Sequence, residues 1–85
     1  MYEIVFKRKV EKSVARLPDN AYQRVTRAID DLSETPRPPG CTKLRGRDEW
    51  RIRAGDYRIV YEIDDERRVL EVLNVAHRRD LYRPG

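Results

Sequence analysis

Arginines stand at positions 51, 53 and 58, on either side of Gly55-Asp56, and His77, Arg78, Arg79 and Tyr82 follow close together near the end of the chain. These are the side chains whose types and spacing could do chemistry. Trp50-Arg51-Ile52-Arg53-Ala54 alternates apolar and basic residues, as does the start of Tyr57-Arg58-Ile59-Val60-Tyr61. Both predict strands with one packed and one wet face. Gly55-Asp56 is a two-residue link with Gly first, which suits a type II′ hairpin turn. That turn sets the register: Ala54 faces Tyr57, Arg53 faces Arg58, Ile52 faces Ile59 and Arg51 faces Val60. Arg53 and Arg58 become direct cross-strand neighbours, with Arg51 on the diagonal. Like charges placed opposite one another destabilise a sheet, so this patch calls for an anion.

An RNA phosphodiester is an anion these parts could cleave without a metal. Attack by the 2′-hydroxyl makes a phosphorane with extra negative charge, which preorganised arginines stabilise through charge-assisted, often bidentate bonds. A base must take the 2′ proton and an acid must protonate the 5′ leaving oxygen, each typically contributing ~10²–10⁴-fold. Arginine, with a pKa above ~12, is no base. That leaves Tyr82, if arginines lower its hydroxyl from the ordinary ~10, and His77.

The elements that must position these groups follow from periodicity. Tyr2 to Phe6 is a short opening strand. Val10, Val14 and Leu17 recur at i, i+4, i+7 and predict a helix over 9–17, stopped by Pro18. Asn20 is the expected N-cap of the next helix, with Gln23 as its capping-box partner. That helix carries Ala21, Val25, Ala28, Ile29 and Leu32 on one stripe and ends near Thr35-Pro36. Lys12, Arg16, Arg24 and Arg27 lie off the stripes, as solvated surface. Pro36-Arg37-Pro38-Pro39-Gly40 is a stiff connector. After the Asp64-Asp65-Glu66-Arg67 turn, Val69 to Ala76 is a third strand, apolar on both faces and therefore central or covered by a helix. The expected order is β-α-α-β-β-β, an α+β domain over residues 1–85 with two N-terminal helices packed on a small, mainly antiparallel sheet.

A four-residue loop in the second hairpin would set Ile63 opposite Arg68, Arg58 opposite Leu73 and Val60 opposite Glu71. Trp50, Ile52, Ala54, Tyr57, Ile59, Tyr61, Leu70 and Val72 then share the face under the helices. Arg51, Arg53, Arg58, Val60, Glu62, Glu71 and Leu73 share the other. The segment from His77 to Tyr82 emerges beside Arg53 and Arg58. The same pattern also fits a solvated salt-bridge face, with Glu71 diagonal to Arg58, and exposed pairs contribute only ~0–1 kcal/mol.

Composition narrows the classes. Of 85 residues 40% are charged, and the net charge is +4, which suits a polyanionic partner without locating it. One Cys, at position 41, permits no internal disulfide and fits a reducing cytoplasm. No signal peptide and no membrane-length apolar run is found. One His and one Cys make no metal cluster, Asp64-Asp65-Glu66 is a hairpin tip, and the scattered glycines form no phosphate loop. No cofactor is expected.

The ordered set Lys43-Leu44-Arg45-Gly46, Trp50-Arg51-Ile52-Arg53, Asp56-Tyr57-Arg58-Ile59-Val60-Tyr61 and Val75-Ala76-His77-Arg78-Arg79-Asp80-Leu81-Tyr82 resembles the RelE/ParE superfamily of toxins from toxin–antitoxin pairs. For the RelE branch, the resemblance implies an endonuclease that cleaves mRNA in the ribosomal A site and is neutralised by a co-expressed antitoxin. It implies operator DNA contact only through that antitoxin. The branch places basic residues at Arg51 and Arg53, arginines at Arg58 and Arg78, and a tyrosine at Tyr82; Lys43, Arg45 and Arg79 are expected RNA contacts. Some members carry lysine at the first two positions, where a lysine can shuttle a proton and Arg51 and Arg53 cannot. The alternative within the resemblance is a ParE-like poison of DNA gyrase without nuclease activity.

Overall fold

The computed structural model describes residues 1–44 and 48–79. The chain runs β1 (Glu3–Phe6), α1 (Arg8–Ala15), α2 (Asp19–Glu34), β2 (Thr42–Lys43), β3 (Glu49–Ala54), β4 (Tyr57–Asp64) and β5 (Val69–His77). The strands form one sheet in the order β1-β5-β4-β3-β2. β1 pairs parallel to β5, and the other pairings are antiparallel. The α+β expectation holds, with β2 as an added short edge strand. β5 is central, between β1 and β4, which accounts for its apolar residues on both faces.

Both helices cover one face of the sheet. Val10 and Val14 of α1 and Val25, Ile29 and Leu32 of α2 meet Ile52, Ala54, Ile59, Tyr61, Ile63, Leu70, Val72 and Val75. Their spacings, i, i+4 in α1 and i, i+4, i+7 in α2, are those of a single helical stripe. Among the described residues, no helix covers the opposite face.

Helix α1 closes two residues earlier than expected, at Ala15, because Arg16 and Leu17 donate to the carbonyls of Ser13 and Val14 in a tightened final turn. Asn20 is not the N-cap of α2. The helix starts at Asp19 behind Pro18, and the Asn20 Oδ1 accepts the Ala21 N–H at 2.8 Å instead. Proline fixes φ near its helical value, and Asp19 complements the helix dipole in the first turn, so the helix begins before Asn20. Gln23 therefore has no capping role.

The first hairpin has the expected register in every pair, including Arg53 opposite Arg58. Gly55 sits at φ +61° and Asp56 keeps a negative φ, the type II′ pattern. The second hairpin departs from expectation. Its loop is shifted by one residue, so Asp64 pairs with Val69, Ile63 with Leu70 and Glu62 with Glu71. The Asp64 carboxylate accepts the Arg67 N–H at 3.1 Å, and Arg68 closes the loop at φ 56°. A bulge at Val60/Tyr61 then sets Val60 opposite Asn74, Arg58 opposite Ala76 and Tyr57 opposite His77. The pairing of Arg58 with Leu73 and of Val60 with Glu71 is thus corrected. Glu71 lies four residues along the ribbon from Arg58 and is no diagonal partner.

At the end of the sheet remote from Gly55, Arg37 anchors the proline-rich connector. Its guanidinium grips Asp65 with two hydrogen bonds, at 2.9 and 3.3 Å, lies 3.5 Å from Asp48, and stacks 5.2 Å from the Trp50 ring centroid. Tyr2 donates to Asp65 at 2.6 Å, and the Trp50 indole donates to Asp48 at 2.8 Å. The fully buried Tyr61 donates its hydroxyl to the Pro36 carbonyl at 2.8 Å. Trp50 is half-buried against the core, as expected.

Candidate functional site

At the Gly55 end the face opposite the helices holds a cavity of about 480 Å³ lined by Arg53, Gly55, Asp56, Arg58, Arg78 and Arg79. Four of its six lining residues are arginines. Arg53 and Arg58 come from opposite strands of the first hairpin and are held side by side by the turn register. Arg78 is brought in from the end of β5, where its backbone N–H donates to the Asp56 carbonyl at 2.7 Å. The next residue is fixed too: the Arg79 N–H donates to His77 Nδ1 at 3.2 Å. Residues far apart in sequence therefore share one pocket, as the strand pattern predicted. Among the described residues, no carboxylate comes within ion-pair distance of Arg53, Arg78 or Arg79.

Other expected site residues are placed elsewhere. Arg51 is on the same face but pairs with Thr42 and Val60, further along the ribbon, and does not line the cavity. Lys43 lies opposite Trp50 with its ammonium 5.8 Å from the indole centroid, also away from the pocket. His77 is paired with Tyr57, the rings meeting edge to face at 5.2 Å. It lines a smaller cavity of about 190 Å³ with Arg24, Asn20 and Tyr57, and not the arginine-lined one. Arg45 and Tyr82 lie outside the described residues.

Arg24 is the residue that sequence reasoning missed. Its guanidinium packs over the hairpin turn, so that a Cβ added at Gly55 would sit 2.8 Å from Nη1. Glycine at this position is favoured by its φ of +61°, whereas the flexible end of Arg24 could shift to admit a side chain. No periodic signal marks Arg24, since it lies off the apolar stripe of α2 like any solvated residue.

Three titratable groups toward the opposite end of the sheet are shifted in ways their surroundings explain. The Arg37 guanidinium, then the Tyr2 hydroxyl, hold the Asp65 carboxyl below the usual carboxylate range. The same hydrogen bond to Asp65 raises Tyr2 above the usual phenol value. Burial pushes the Tyr61 hydroxyl up as well. Among the described residues there is no group of three metal-ligating side chains, and no helix is long and apolar enough to cross a membrane.

By sequence and by fold this chain is similar to type II toxin–antitoxin toxins of the RelE/ParE superfamily, and it belongs to that family. Residues 4–82 match the family model described as the ParE toxin of the type II toxin–antitoxin system parDE. The chain is 34% identical to toxin RelG of Mycobacterium tuberculosis, over 96% of this chain and 97% of that protein. It superposes on a chain of the archaeal RelE–RelB complex from Pyrococcus horikoshii with a TM-score of 0.83 and 30% identity, covering 91% of this chain and 94% of the other. The isolated E. coli RelE toxin aligns at a TM-score of 0.79 and 28% identity, covering 91% of this chain and 84% of that one.

Proposed function

We propose that this toxin is a ribosome-dependent endoribonuclease that cleaves mRNA in the A site without a catalytic metal, and so stops translation. The observation that carries the reading is the cavity where Arg53, Arg58, Arg78 and Arg79 converge. A phosphodiester seated there is met by guanidinium groups that can bond its non-bridging oxygens. Attack by the 2′-oxygen on phosphorus forms the P–O2′ bond, and the P–O5′ bond breaks. The products are a 2′,3′-cyclic phosphate and a 5′-hydroxyl. The extra charge of the intermediate is what the arginines stabilise best, because they are already in place before it forms. Proton transfer falls to Tyr82, which the family resemblance counts among the site residues. His77 lines a different cavity and already uses Nδ1 as an acceptor, so it does not serve as the base here. Arg51 and Lys43, at a distance along β3 and β2, with Arg45, suit contacts to more remote phosphates.

The partner in this reading is a cognate antitoxin, as in the RelE–RelB complex that the fold resembles. Operator DNA is reached only through it. The site of action is the cytoplasm, where ribosomes and mRNA are.

The test is cleavage of a translated mRNA by the purified toxin, with and without ribosomes. We expect cuts only with ribosomes, carrying 5′-hydroxyl and cyclic or 3′-phosphate ends, and insensitive to chelation that leaves the ribosomes intact. Cleavage of free RNA at the same rate would end this reading. The match to the ParE family model favours one competitor, a gyrase poison. Inhibition of gyrase supercoiling by a toxin that leaves mRNA whole would establish it instead.

A further inference from the structure

The arginine pocket depends on how the chain leaves β5, and His77 makes a hydrogen bond at that exit. His77 Nδ1 accepts the N–H of Arg79, two residues on, at 3.2 Å. Asn and Asp side chains close the same two-residue turn with Oδ1; here an imidazole nitrogen takes that part. The ring is held from behind by Tyr57, its cross-strand partner, edge to face at 5.2 Å. On the other side of the backbone, Arg78 N–H is fixed to the Asp56 carbonyl at 2.7 Å. Two backbone N–H groups in a row are thus tied down, one to the turn and one to the imidazole. The side chains of those same two residues line the cavity.

An Nδ1 that accepts a hydrogen bond leaves the ring proton on Nε2 in the neutral imidazole. The ring then has no free lone pair to take the 2′ proton. We propose that His77 is a positioning residue: neutral and Nε2-protonated, it acts through the Arg79 backbone to hold Arg78 and Arg79 at the substrate phosphate. The proposal rests on the nuclease reading above and assigns His77 a part that a proton-transfer role would not have.

The acceptor can be kept or removed while the ring is lost in both cases. In His77→Asn, Oδ1 stands where Nδ1 stood; in His77→Gln, the polar end reaches toward the Nε2 position. The Tyr57 contact is lost equally, so packing alone predicts that the two variants behave alike. In ribosome-dependent cleavage we expect kcat/KM to fall ~10²-fold for His77→Gln and to stay within about tenfold of wild type for His77→Asn, the size of loss that follows displacement of a substrate contact. Equal activity of the two variants, whether high or low, overturns the proposal.

A second readout separates this proposal from the nuclease reading. An RNA trinucleotide with a 2′-deoxy sugar at the attacking position binds but cannot react. Wild type that binds it yet cleaves no mRNA removes the nuclease reading, and the affinity order then decides for His77: Asn near wild type and Gln weaker supports it, and equal affinities overturn it. Where wild type does not bind the free trinucleotide, binding is measured on ribosomes with the 2′-deoxy codon in the A site, and absence of binding there overturns both. If His77→Gln fails to fold, imidazole ¹⁵N shifts of the wild type decide. An Nε2–H ring supports the proposal, and an Nδ1–H ring ends it.

Discussion

The two ends of the β3–β4 ribbon use arginine in opposite ways. At the end near Asp48 and Asp65, Arg37 has its anions built in: a two-bond grip on Asp65, a second carboxylate at 3.5 Å and an indole face at 5.2 Å. At the Gly55 end, Arg53 is set directly opposite Arg58, and Arg78 and Arg79 close around the same cavity. Repulsion there is not offset by a carboxylate within reach of Arg53, Arg78 or Arg79 among the described residues. One end gives an internal cation internal partners and thereby fixes a connector. The other gathers Arg53, Arg58, Arg78 and Arg79 around one cavity, where an anion from outside would meet all four. Under the proposed function, the difference separates a structural use of charge from a functional one.

If this contrast is right, substitutions at the two ends differ in what they change. Arg58→Ala should lower ribosome-dependent cleavage by ~10²–10³-fold, the usual loss when one preorganised donor to a developing oxyanion is removed. Thermal unfolding should show the variant folded. Cleavage at wild-type rate would mean the cavity is not where the chemistry happens.

At the other end the large effects should be on stability. Tyr61→Phe leaves the Pro36 carbonyl without its donor and should cost about 1–3 kcal/mol in urea unfolding, with cleavage per folded molecule unchanged. A loss of activity without a loss of stability would show that the connector takes part in function.

Arg53→Thr sharpens the contrast, because its two effects have opposite sign. It removes a like-charge pair from facing strand positions and should raise stability by ~0.2–1 kcal/mol, while cleavage falls. The gain should shrink in high salt, which screens the repulsion it relieves. Destabilisation by Arg53→Thr would argue that the arginine end is held together from within.

The smallest effect is the pH dependence of the Arg37 clamp. The Asp65 carboxyl is held below its usual range, so its contribution is complete above the unfolded value near ~3.9 and is lost as pH falls through the lower folded value. Tyr2 is raised by the same bond, so its share is complete below ~10 and is lost as pH rises through the folded value. Asp65→Asn should flatten both limbs of a Tm-against-pH curve. Limbs that persist unchanged would assign the titration to other groups.

Much of this was legible in the chain itself. Alternation in 50–54 and 57–61 and the Gly55-Asp56 link were enough to set Arg53 opposite Arg58, because a two-residue turn leaves a hairpin only one register. The stripes of both helices and the central place of β5 followed from periodicity in the same way. A four-residue loop has no such constraint. The second hairpin slipped by one residue through the Asp64 side chain, and the bulge at Val60/Tyr61 is a backbone event without a residue signature. The bulge and the slip decide that His77 pairs with Tyr57 and lines the helix-side cavity. The reach of Arg24 over Gly55 likewise depends on how α2 lies across the sheet. Local sequence determined which residues carry charge and which way each strand presents it, since period-2 geometry and turn chemistry act over a few residues. Only the tertiary structure decided which of those charges meet, because that depends on contacts between segments whose separation along the chain carries no pattern.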